Sequence, residues 1–159
     1  MLPVLAAALM LASPAAAAPA GDRARIEAAV RTYFEGEAAK DIGLVREATW
    51  PEGYLHSTIE GPDGNTFRRH WSDLNLGGVG VSHRTRMGRP AIRISGNRAI
   101  ASFRSTSRTF YSARYSGSHV RSRNRVELER RRGEWRILNW RRISRSFSPA
   151  AGREGRRSP

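Results

Sequence analysis

The chain has 159 residues, of which 28 are Lys or Arg and 14 are Asp or Glu, for a formal net charge of +14. Hydrophobic residues make up 39% and charged residues 26%, the balance of a folded soluble domain rather than a disordered chain. Cysteine is absent, which excludes disulfides, thiolate metal sites and a thiol nucleophile.

The first twenty residues, MLPVLAAALMLASPAAAAPA, read as a secretory signal. The apolar run is too short and too rich in alanine for a transmembrane helix, and APA at 18–20 supplies the small residues of a cleavage site after Ala20. The expected location is therefore periplasmic or secreted. Residues 21–146 form the expected domain, and the Arg-, Pro- and Gly-rich segment 147–159 reads as a disordered tail.

Within the domain, DRARIEAAVRTYFEGEAAKD reads as a helix. Ile26, Ala29, Val30, Tyr33 and Phe34 make one apolar stripe, and Asp22 is placed to cap the N-terminus. Asp41 is placed to cap a second short helix, IGLVREAT, which Pro51 ends. GYLHSTIE reads as a strand and GPDGN as a turn. A third helix is expected from Asn65 or Thr66, with Phe67, Trp71 and Leu74 on one side. Four strand-like segments follow at 79–87, 91–95, 98–115 and 119–131, and then a last strand, EWRILNWRRIS. Gly and Pro at 88–90 signal a bulge. The fold class is α+β: a strongly curved antiparallel sheet, a cone, wrapped on about three N-terminal helices.

The helix pair IEAAVRTYFEGEAAKDIGLVREAT, the segment GNRAIASF and the strand pair VELERRRGEWRILNWRRI resemble the nuclear transport factor 2-like superfamily, particularly its SnoaL-like branch. The resemblance spans about residues 22–145. It implies a cone-shaped sheet with an apolar pocket opening at one end, and it makes a homodimer through the outer sheet face an expectation. It is nearly silent on activity, because the family includes isomerases, dehydratases, cyclases, hydrolases and noncatalytic binders.

Candidate site residues come from alternation. In HVRSRNRVELER the odd positions Arg121, Arg123, Arg125, Glu127 and Glu129 share one face, and Ser122, Asn124, Val126 and Leu128 share the other. The second face is polar at one end and apolar at the other. His83 likewise sits on a face with Val79, Val81 and Met87. An apolar cavity with a few convergent polar groups is the usual form of a small-ligand site. Ser122, Asn124 and His83 are therefore candidate pocket residues; as core groups, they would instead be bonded within the protein. The resemblance implies the same three positions, since scytalone dehydratase carries a pocket His and a pocket Ser-x-Asn in the matching strands. That enzyme's carboxylate near the end of the first helix falls on Ala38, with Glu37 beside it.

His83 is the candidate general acid or base and Tyr33 a candidate donor to a carbonyl or oxyanion. His56, Trp71 and Trp140 are candidate pocket walls, and Arg104 becomes an anion clamp if it points inward. Tyr33, Trp71 and Trp140 can equally be core aromatics, and Arg104 can equally be solvated. Histidines and acids lack ligand spacing, and no phosphate or dinucleotide loop is present, so no metal or cofactor is expected. The expected partner is a small apolar or aromatic molecule.

The alternative reading rests on charge. Arg121, Arg123 and Arg125, followed by Arg136, Arg141 and Arg142 on the next strand, could assemble a basic stripe for an anionic envelope polymer, lipid surface or protein. Nucleic acid is not expected as the partner, because no stacking aromatics interleave with that row.

Overall fold

The computed structural model describes residues 20–61, 64–74, 76, 82–110 and 119–147. The expected leader and the expected tail lie outside those residues, apart from Ala20 and Phe147. Helix α1 (Ala20–Ala39) buries Ile26, Val30, Tyr33 and Phe34, the stripe expected from the sequence. Helix α2 (Ile42–Ala48) starts at Asp41, whose carboxylate accepts from the backbone N–H groups of Gly43 and Leu44 at 2.8 and 3.3 Å. Lys40 takes φ 57° at the turn between the helices. The pair folds back so tightly that a Cβ on Gly36 would lie 2.8 Å from Val45 Cγ2.

Asp22 does not cap α1. The helix begins at Ala20, and Asp22 sits inside its first turn, nearly buried. Its two oxygens accept from Trp135 Nε1 at 3.1 Å and from Arg130 Nη1 at 3.0 Å. This carboxylate thereby ties the start of α1 to a hairpin more than a hundred residues away.

Seven strands form one mixed sheet: β1 (Thr49–Glu60), β2 (Asn65–His70), β3 (Ser82–Met87), β4 (Ala91–Ser95), β5 (Arg98–Phe110), β6 (His119–Arg131) and β7 (Glu134–Phe147). Their order is β2-β1-β7-β6-β5-β3, with β4 also on β5. The pairing of β1 with β7 is parallel, so the sheet is not purely antiparallel. The expected third helix is absent: Phe67 lies in β2, opposite Ser57, and Trp71 begins a single 3-10 turn, Trp71–Asp73. The cross-strand partner on β1 overrides a helical spacing that only three residues supported.

Strands β3 and β4 are consecutive pieces of one edge. Met87 pairs with Ser105 and Ala91 with Ser102, so three residues face two, and the Gly88 N–H donates to the Arg104 carbonyl at 2.9 Å. This is the bulge expected at 88–90. A second bulge falls in β7, where Glu127 pairs with Asn139 but Leu128 pairs with Ile137. Leu138 is the extra residue, and its carbonyl accepts from Trp71 Nε1 at 2.8 Å.

The helices cover one face of the sheet. Ala99, Ala101, Phe103, Val126, Leu128, Ile137, Trp140 and Leu55 point into the core from that face. Alternation along β6 is as the sequence implies, with Ser122, Asn124, Val126 and Leu128 buried between exposed neighbours.

Gly53 packs against the bulged Leu138 carbonyl, with which an added Cβ would collide. Gly53→Ala is expected to destabilise the fold by about 3 kcal/mol, because backbone on both sides must move. Gly21→Ala in α1 meets nothing within 4 Å and should stabilise by about 0.5–1 kcal/mol. Urea denaturation of both variants tests the pair. Asp22→Ala, which strands a buried indole N–H and a guanidinium, should cost about 2–4 kcal/mol in the same experiment.

Candidate functional site

The inner face changes character along the strands. At one end it is apolar, and Trp140 is its centre. The Trp140 indole lies against Tyr33 with ring centroids 4.5 Å apart, against Phe34 at 5.2 Å and against Phe103 at 6.0 Å. Its Nε1 donates to Asn124 Oδ1 at 3.0 Å. The amide nitrogen of Asn124 in turn donates to Ser105 Oγ at 2.9 Å and reaches the carbonyls of Ser122 and Phe103 at 3.4 and 3.5 Å. Asn124 is thus held inward by an indole on one side and by the Ser105 hydroxyl and two backbone carbonyls on the other.

Beyond Asn124 the face is lined by small hydroxyls. Ser105, Ser122 and Ser144 fall on one cross-strand row of β5, β6 and β7, and all three are buried. Ser122 Oγ and Ser144 Oγ are 2.9 Å apart. Further along, Ser107 on β5 and Thr85 on β3 share a bond of 2.9 Å. Among the described residues, no buried side-chain nitrogen or oxygen lacks a partner.

The row next to the serines carries a charge. Arg142 sits on β7 opposite Asn124 and beside Ser57 of β1, so it belongs to the inner face while Arg141 belongs to the outer one. Its two terminal nitrogens donate to the two oxygens of Glu37 on α1, each at 3.4 Å. The guanidinium lies 4.9 Å from the Trp140 ring centroid. Tyr33 completes the group by donating its hydroxyl to Glu37 Oε1 at 2.9 Å. Burial opposes the charge on Arg142, but Glu37 and Tyr33 together outweigh it and raise its pKa. Burial first, then the neighbouring Glu37 carboxylate, push the Tyr33 phenol well above its ordinary value of 10.

Neither Glu37 nor Arg142 was singled out as a site residue by sequence. Glu37 lies beside the position the family resemblance favoured, and Arg142 reads as part of a solvated arginine row. The signal was present: Arg142 is two residues from Trp140, so the two must share a face. The carboxylate of the inner face is one that α1, not a strand, brings to it.

The remaining candidates are dispersed. Tyr33 is fully buried, and its hydroxyl is committed to Glu37. Trp71 is buried in the core, edge-on to Tyr33 with ring centroids 5.5 Å apart, and bonded to the β7 bulge. His56 shares the outer face of β1 with Tyr54, opposite Arg68 and Arg141. Arg104 is exposed on the outer face of β5, opposite Arg123, so the condition for an inward anion clamp is not met. The His83 backbone pairs with Thr109, two inner-face pairs beyond Met87–Ser105; its side chain lies outside the described residues. A separate open cleft of about 290 Å³ lies between the helices and the start of β7, lined by Ala28, Thr32, Glu47 and Arg136 among others.

These two helices on a curved mixed sheet are the nuclear transport factor 2-like fold. The hexachlorocyclohexane dehydrochlorinase LinA-type3 from Novosphingobium barchaimii LL02 superposes with a TM-score of 0.64 at 17% identity, covering 83% of this chain and 92% of that one. An NTF2-like superfamily protein from Salmonella enterica serovar Typhimurium superposes with a TM-score of 0.61 at 18% identity, over 84% and 96% of the two chains. An NTF2-like protein of unknown function from Shewanella baltica OS155 gives 0.58 at 16% identity, over 84% and 99%. No family model and no curated protein matches the sequence.

The Tyr33 environment predicts a pH effect. A phenol whose folded pKa is raised contributes stability that is fully present below the unfolded value near 10 and is lost as pH rises beyond it. Ultraviolet titration should show one of the four tyrosines silent until the protein unfolds in alkali, and Tyr33→Phe should remove that late step.

Proposed function

We propose that this protein binds a small, largely apolar molecule on the concave side of the sheet, with its polar group at the serine row. The observation that carries this reading is the Glu37–Arg142 pair, with Tyr33, beside Asn124 and the buried serines. Folding does not require such a pair, because an apolar replacement of similar volume is often as stable. Charged groups held half-dry on a concave face are characteristic of ligand sites. Small hydroxyls at Ser105, Ser122 and Ser144 leave room that larger side chains would fill, and they offer donors and acceptors of either polarity.

On this reading the apolar part of the ligand rests towards Phe103 and Phe34, and Arg142, already neutralised by Glu37, orients a carbonyl or hydroxyl. His83 is the proposed acid–base group, in an elimination, hydration or isomerisation. One of the proteins sharing the fold is a dehydrochlorinase, which is consistent with proton-transfer chemistry in such a cone. Export of the chain, supported by the leader-like 1–20, belongs to the same proposal and predicts recovery in the periplasmic or culture fraction.

Native mass spectrometry of gently purified protein tests the site. The expected result is a bound small molecule in wild type that is lost in the double variant Glu37→Gln, Arg142→Met, which removes both charges together and leaves circular dichroism unchanged. A His83→Ala variant should retain the molecule and lose its conversion. Wild type that carries no molecule and fails to take up an apolar fluorescent probe would remove the proposal.

A further inference from the structure

Given the ligand site proposed above, we infer that Glu37 sets its specificity: it makes the site selective for uncharged ligands and rejects the carboxylates that Arg142 alone would attract. The whole chain carries a net charge of +14, and a surplus of that size draws anions to any opening it surrounds. From Asn124 towards the far ends of β5, β6 and β7, the inward positions among the described residues carry one charged side chain, Arg142. On β2, Arg69 stands opposite Leu55 at the sheet edge, exposed and over the Phe67 ring, where solvent screens it. An unpartnered guanidinium at Arg142 would be an anion site, because its planar fork fits a carboxylate.

Glu37 occupies that fork. Its two oxygens take the two terminal nitrogens of Arg142, at 3.4 Å each. The carboxylate does not depend on Arg142 for its position. It is held from its own helix, one turn after Tyr33, whose hydroxyl donates to Glu37 Oε1 at 2.9 Å. Tyr33 is fixed in turn: it is fully buried, with its ring against Phe34, Trp71 and Trp140. Burial and the adjacent carboxylate keep the phenol protonated into alkali, so it remains a donor. The side chains of Glu37 and Arg142 are 20% and 18% exposed, so solvent screens the pair only in part.

Ligands of different charge fare differently at this pair. A carboxylate bonded to the remaining N–H groups of Arg142 brings a second negative charge beside Glu37 in a half-dry setting, which is unfavourable. An ammonium finds both Glu37 oxygens already bonded and the guanidinium next to them. A neutral carbonyl or hydroxyl takes a guanidinium N–H or a serine hydroxyl without either conflict. The hydroxyl pairs Ser122–Ser144 and Thr85–Ser107 can each reverse donor and acceptor, which suits a neutral group of either polarity. A merely structural pair would join α1 to β7 without setting ligand preference, so preference is the property that separates the two roles.

The test titrates the whole chain with probes of one shape and different charge: 2-acetonaphthone, 2-naphthoate and 2-naphthylmethylammonium. Wild type should bind the neutral ketone at least about tenfold more tightly than either ion. Glu37→Gln keeps the size of the side chain and an acceptor for Tyr33, and leaves Arg142 unpaired. In that variant the order should reverse, with 2-naphthoate bound most tightly and raising the melting temperature more than the ketone does. The double variant Glu37→Gln, Arg142→Met should lose this gain for the carboxylate. The wild-type comparison needs no variant and decides by itself whether a carboxylate is rejected. Selectivity by Glu37 is overturned, with the ligand site intact, if wild type binds 2-naphthoate as tightly as 2-acetonaphthone. It is overturned equally if Glu37→Gln leaves the order of the probes unchanged. If no probe of any charge binds wild type, the ligand site itself is removed and the selectivity with it.

Discussion

The indole of Trp140 is the contact on which the rest of the molecule depends. It is fully buried, its ring meets Tyr33 and Phe34 of α1, and its N–H is bonded to Asn124. Those contacts fix how α1 lies on the sheet. With α1 so placed, Glu37 stands one turn beyond Tyr33, where Arg142 reaches it from two residues past Trp140. A buried indole must have an acceptor, and that requirement explains why a strand otherwise burying Val126 and Leu128 also points an asparagine inward. Asn124 then needs an acceptor for its own amide, which Ser105 supplies. The polar end of the concave face is a chain of satisfied requirements that begins at one aromatic nitrogen.

The bulge at Leu138 lets this arrangement coexist with a buried apolar end. Without the extra residue, the parity that turns Trp140 and Arg142 inward would turn Ile137 and Trp135 outward. Instead Ile137 and Trp135 are buried as well, and Trp135 reaches Asp22. The same bulge supplies the carbonyl that anchors Trp71. One inserted residue therefore joins the two ends of β7 to different parts of the core.

Much of the sheet was legible because alternation is a strict signal. The β6 pattern, both tight turns flanking β5 and β6 near 96 and 133, and the interrupted edge at 88–90 all follow from residue order. What alternation cannot convey is which strands become neighbours, so the parallel pairing of β1 with β7 was not readable. Short segments were the other weakness. The spacing of Phe67, Trp71 and Leu74 fits a helix, but an aromatic in a strand and an indole anchored by a distant carbonyl produce it equally well. Asp22 illustrates the same limit: a carboxylate early in a helix suggests a cap, and only the folded chain reveals the indole and guanidinium that claim it. The site was half legible. Asn124 and Ser122 lie inside as parity requires, whereas Glu37 and Arg142 became recognisable only once helix and sheet were brought together.

The two faces of β6 impose separate constraints on the same thirteen residues. Even positions answer to Trp140 and the serine row, where each polar atom must find a partner in a dry environment. Odd positions answer to exposed neighbours on β5 and β7: Arg123 meets Arg104 and Arg125 meets Arg141, whereas Glu129 meets Arg98 and Arg136. The first set is locally self-consistent: replacing Asn124 by an apolar residue would strand the Trp140 N–H. The second set is held more loosely: Arg123 meets Glu60 at 3.4 Å as well as facing Arg104, and solvent screens the charges on that side. Parity along one strand is enough to keep the two sets of determinants apart.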